Sequence, residues 1–135
     1  MIEELQGLRA LYKNPLDALR VWLGAACDRL EKSGYEAGCP LAAAALDVTS
    51  EDAALKQTLA EGFALLRTEL ARFLTSAGIP ETRCHELSLL LVSGYEGALM
   101  QARVASDRSL FEKIGLLLIE MVHEAQYKAE KETGA

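Results

Sequence analysis

Three cysteines, two histidines and three prolines are all that this chain holds of those residues, and each scarcity removes a class of function. Cys27, Cys39 and Cys84 are odd in number and widely spaced. That suits a reducing cytoplasm and argues against a disulfide scaffold. Cys39, before Pro40 at a short helix start, has a redox-active thiol as its alternative reading; a small buried residue is the default. His85 follows Cys84, and Glu124 follows His123. Adjacent helical residues diverge by ~100°, so neither pair converges on a metal. Glu120 and Glu124 share a helical face, yet a solvated helix end explains them better than a paired-carboxylate site. The sequence has no phosphate loop and no Ser-His-Asp set. It is therefore not expected to be an enzyme, and no cofactor or metal is expected.

Basic residues are also in deficit. Fourteen Lys and Arg against 20 Asp and Glu leave a net charge of −6, and phosphate recognition needs a basic face. Membrane insertion is not expected either, because no apolar run approaches ~18 residues. The acidic start Met1-Ile2-Glu3-Glu4 carries no secretory signal. A cytoplasmic location follows as the expectation.

What the sequence has in plenty is Ala and Leu. Half of the 135 residues are hydrophobic and only 6% are aromatic, which fits one helical domain with a real core. Nothing alternates with a period of two beyond a few residues. The fold class expected is all-α, a bundle of five or six helices. Residues 1–13 read as a short helix with Leu5, Leu8, Leu11 and Tyr12 on one side. It lacks an N-terminal cap, like the end of something longer. Asn14-Pro15-Leu16-Asp17 is a helix start: a capping Asn, Pro at the first position, an acid in the first turn. Leu16, Leu19, Trp22, Leu23, Ala26, Cys27 and Leu30 then form one stripe, and Ser33-Gly34 ends it. Gly38-Cys39-Pro40 breaks the chain before a short Ala-rich helix over residues 41–46. A long helix to residue 77 follows, with a narrow stripe through Leu55, Leu59, Phe63, Leu66, Leu70, Phe73 and Leu74. Residues 128–135 are polar and expected to fray.

The last third differs. Two helices joined at Ala105-Ser106-Asp107 carry apolar residues well beyond the stripe of ~100° that one core face requires. In the final helix Leu110, Phe111, Ile114, Leu117, Leu118, Met121 and Val122 make the expected core face, with Gly115, Leu116 and Ile119 as surplus. In the preceding one Leu87, Leu90, Leu91, Gly94, Ala98 and Ala102 make the face, with Leu89, Val92, Leu99 and Met100 spreading around the rest. The surplus must be covered, and a second copy of the chain is the expected cover.

Two motifs point further. Gly38-Cys39-Pro40-Leu41-Ala42 resembles the GCPL motif of one branch of the TetR-type transcriptional regulators. Glu96-Gly97-Ala98-Leu99-Met100-Gln101-Ala102-Arg103 is similar to a segment of that branch's penultimate helix. Helix order and loop lengths over most of the chain match as well. The resemblance implies the C-terminal body of a repressor: residues 14–127 for effector binding and dimerisation, residues 1–13 as the remnant of a linker helix. Members of that family begin with a helix-turn-helix head, which this sequence does not show, so DNA is expected as a partner only through a head. The implied homodimer is a four-helix interface of the last two helices, with Leu89, Gly97, Met100, Leu116 and Ile119 at the contact. The implied effector is small and apolar and enters an interhelical cavity. Trp22, Cys27, Phe63, Leu66, Leu91 and Tyr95 are the candidates to line it; ordinary core packing is the competing reading for each. A stand-alone module that binds a small molecule or pairs with a longer relative, without DNA function, is the alternative.

Overall fold

The computed structural model describes residues 1–134. They form six helices: α1 (Ile2–Leu11), α2 (Pro15–Lys32), α3 (Pro40–Asp47), α4 (Ala53–Ser76), α5 (Glu81–Ala105) and α6 (Arg108–Glu132). No strand occurs among the described residues.

The helix ends follow local chemistry. The Asn14 side chain accepts from the Leu16 N–H, with Pro15 opening α2. Asp52 caps α4 through the Leu55 N–H, and Asp107 caps α6 through the Ser109 N–H. Each cap satisfies a backbone donor that has no partner inside its own helix. Between α5 and α6 the chain turns at Ser106, which takes a left-handed φ of 51°. The turn folds the two helices back on each other, and α6 packs on both α5 and α2.

The core lies between α2, α4, α5 and α6. Trp22, Leu19 and Leu30 from α2, Leu66, Leu70 and Leu74 from α4, Leu87 and Leu91 from α5, and Phe111 and Val122 from α6 are sealed from solvent. Trp22 stacks on Tyr95 with ring centroids 4.7 Å apart, and Tyr95 meets Phe111 edge-on at 5.6 Å. Such aromatic contacts add to area burial. Glu69 is also buried, held by Arg72 at 2.6 Å. Arg108 bonds Asp28, Glu31 and Glu112, tying the start of α6 to α2.

Three elements differ from the reading of the sequence. In α1, Leu5 is buried and Leu8 half-buried, but Leu11 is 79% exposed; the helix packs chiefly against α2 and α4. In α6 the buried face is rotated from the expected one: Ile119 is 6% exposed and Leu117 58%. A helix gripped by two neighbours buries a wider, displaced arc. Finally α6 continues to Glu132, with Ala129 buried, past the expected boundary at Lys128; Ala135 of that tail lies outside the described residues.

Two glycines give an opposed pair of expectations. A Cβ on Gly24 would meet nothing within 4 Å, whereas one on Gly94 would stand 2.8 Å from Leu118 Cδ2. Gly24→Ala should raise stability by about 0.5–1 kcal/mol through helix propensity. Gly94→Ala should lose that gain by displacing a core leucine. Urea midpoints shifting in the same direction for both would contradict this close crossing of α5 and α6.

Candidate functional site

The two sequence motifs, far apart in the chain, form facing walls of one cleft. Its volume is about 340 Å³. The α2–α3 connection and α3 supply Gly38, Cys39, Ala42, Ala43 and Leu46. On the other side α5 supplies Glu96, Leu99, Met100, Arg103 and Val104, while Tyr35 closes one end. Pro40 starts α3 beside Cys39, and the short helix packs on α4. Its seat on α4 is set by Leu41, whose Cδ2 would lie 2.8 Å from a Cβ on Gly62.

The cleft is apolar with a few polar anchors. Glu96 Oε1 is buried and has no hydrogen-bond partner among the described residues. The Cys39 thiol lies beside the Glu96 carboxyl. Burial, the larger influence, raises the Glu96 pKa, and the Cys39 contact works against it. Cys39 is itself pushed up, by burial first and then by Glu96. It is held as a thiol, the opposite of what a reactive thiolate needs. Arg103 Nη1 reaches over the loop, 3.5 Å from where a Cβ on Gly38 would stand.

A smaller cleft of about 100 Å³ shares Gly38 and Leu99 with this one and is bordered by buried Tyr95 and exposed Arg29. Burial pushes the Tyr95 hydroxyl up to about 12, with the Arg29 guanidinium beside it opposing that rise. Arg29 also bonds Glu4 of α1 at 2.9 Å. Polar contacts therefore run from the inner cleft to α1.

The residues expected to line a cavity fall into three places. Trp22, Leu66 and Leu91 are closed off in the core at no more than 1% exposure. Cys27, donating to the Arg108 carbonyl, borders a separate groove of about 380 Å³ between α2 and α6, while Tyr95 borders the inner cleft. Phe63 is half-buried on α4. Of the five residues expected at the dimer contact, Leu89, Met100 and Leu116 are exposed, and Ile119 is packed inside. Gly97 is half-buried, with open space where a Cβ would be. Glu96, Arg103 and Tyr35 were missed as lining residues. Glu96 and Arg103 were signalled only by their motif, which does not say which of its side chains share a space, and Tyr35 lies outside both motifs.

The Glu96 carboxyl gives a test with a defined sign. A carboxyl whose folded-state pKa exceeds its unfolded value stabilises the fold fully only below the unfolded value, near ~4.3. That contribution is lost as pH rises through the folded value. Glu96→Gln copies the protonated form. Its Tm should match the wild type near about pH 4 and exceed it at neutral pH. A gap of equal size at both pH values would mean that burial of the charge is not the cause.

Comparisons with known proteins agree with this architecture. Residues 15–116 match the C-terminal domain of LmrA/YxaF-like transcriptional regulators. Uncharacterised HTH-type transcriptional regulators from two Mycobacterium tuberculosis strains, CDC 1551 / Oshkosh and ATCC 25618 / H37Rv, are each 31% identical over 112 residues. The matches cover 79% of this chain and 54% of each relative. The chain thus spans about half the length of the curated relatives it matches. No solved structure matches it significantly. Proteins of this family regulate transcription as dimers that bind DNA and small-molecule effectors, and they are not enzymes. With six helices and the C-terminal match covering most of its length, the chain belongs to the TetR family of transcriptional regulators and comprises the regulatory domain of its LmrA/YxaF-like branch.

Proposed function

We propose that this domain is the effector-binding and dimerisation body of a transcriptional repressor. A small, largely apolar molecule binds in the cleft between α3 and α5. The observation that carries this reading is the meeting of both motifs at a cleft with apolar walls and a buried, unpartnered carboxyl oxygen. Ligand sites are concave, mostly apolar and anchored by few polar groups.

A second copy packs on the surface left bare by α5 and α6. Leu89, Leu90, Met100 and Val104 of α5 are exposed, as are Leu116 and Leu117 of α6. By helical period the four α5 residues lie on one stripe with Gly97. DNA is met through a head domain and not through this acidic body, whose charge of −6 disfavours phosphate. An effector shifts DNA affinity only as far as it binds one arrangement of the dimer better than the other. The contacts from the cleft through Tyr95 and Arg29 to Glu4 supply a route by which occupancy reaches α1.

The test is a thermal-shift screen of small apolar compounds, with Ala43→Trp as the control that fills the cleft. Ala43 lines the cleft and is exposed on α3, so the fold should tolerate the change. Compounds that stabilise the wild type should lose most of their effect on Ala43→Trp. Full effect on the variant would place the effector elsewhere.

A further inference from the structure

The cleft carries opposite charges at two points, and neither is paired with a counter-charge among the described residues. Glu96 and Arg103 both line it. They stand seven residues apart on α5, two turns on nearly the same face, about 10 Å along the axis at ~1.5 Å per residue. Neither side chain takes part in an ion pair among the described residues. Their surroundings differ. The Glu96 carboxyl is sunk beside Cys39 with Oε1 sealed and unpartnered, while Arg103 is exposed over the Gly38 loop. Between them the lining is apolar: Leu99 and Met100 on α5, Ala42 and Leu46 on α3. A buried acceptor without a donor costs free energy until one arrives. A guanidinium at an open rim is a ready fork for an acid.

We propose that the cleft selects amphoteric molecules: a protonated amine at Glu96, an apolar middle of about 10 Å along Leu99 and Met100, and an anionic group at Arg103. This deepens the effector-site reading and rests on it. Uncharged apolar compounds fit the walls but leave the Glu96 oxygen bare. A simple cation meets Glu96 and then runs toward Arg103. A simple anion reverses the fault. Two ends of opposite sign at the right separation satisfy both groups at once, so the preference is for the pair of charges and their spacing.

The probes are 8-aminooctanoate, whose ends are about 10 Å apart when extended, and the one-ended octylamine and octanoate. Binding to the full chain is measured by calorimetry and by chemical-shift changes at Glu96 and Arg103. The expected result is that 8-aminooctanoate binds at least about tenfold more tightly than either one-ended probe, as one charge-assisted hydrogen bond contributes. Glu96→Gln should erase its advantage over octanoate and leave its advantage over octylamine. Arg103→Gln should do the reverse. Ala43→Trp should weaken all three. Equal binding of the three probes, still sensitive to Ala43→Trp, overturns the amphoteric preference and leaves the effector cleft standing. No binding of 8-aminooctanoate overturns the amphoteric preference alone, and binding of the probes that is indifferent to Ala43→Trp overturns both.

Discussion

Trp22→Ala is expected to cost about 3–5 kcal/mol of stability, a large share of the ~5–15 kcal/mol that a domain has in total. Trp22 is fully buried, lies flat on Tyr95 and belongs to the sealed core. Alanine leaves a cavity that helices fixed by their own hydrogen bonds do not close. The loss also frees Tyr95, whose other neighbour is Phe111, so an early melting of the α2–α5–α6 junction should accompany it. Trp22→Phe should cost much less. It keeps most of the volume and removes Nε1, a buried donor with no partner among the described residues. Urea denaturation of both variants decides the matter. A cost below about 1 kcal/mol for Trp22→Ala would mean that the ring lines a cavity instead of filling the core.

Gly97→Leu should turn the proposed dimer into a monomer at micromolar concentration without unfolding it. Within the chain a side chain at 97 meets nothing within 4 Å, so the fold has room. Across a twofold axis the same residue occurs on both partners, and overpacking a close crossing costs ~1–3 kcal/mol each time. Dimer affinity should fall by about thirtyfold or more. Sedimentation velocity over a concentration series measures it, and circular dichroism verifies that the helices persist. A variant that associates as the wild type does would move the interface away from this stripe. Gly94, one turn earlier, is the contrast: it abuts Leu118 inside the chain, so bulk there attacks the fold and not the association.

Much of the fold was legible residue by residue. Asn14 with Pro15, Asp107, and the break at Gly38-Cys39-Pro40 mark helix ends through contacts with near neighbours, so each could be read in isolation. The stripe of α2 was legible for a similar reason, since its apolar residues recur at one period and all eight buried ones fall on it or beside it. The two C-terminal helices were harder. Their apolar residues cover so much circumference that periodicity alone does not choose a face. Leu117 was expected inward and Ile119 outward, and the structure turns them the other way.

Taken alone, then, the order of amino acids determined helical content, helix ends, the acidic charge and the resemblance to a regulator family, because these depend on composition and on interactions a few residues long. Tertiary structure decided which arc of α6 is buried, since α2 and α5 grip it together. It also decided that Cys39, Glu96 and Arg103 line one cleft with α3. Those relations join distant segments, and only the packed helices set the distances and the burial on which their chemistry depends.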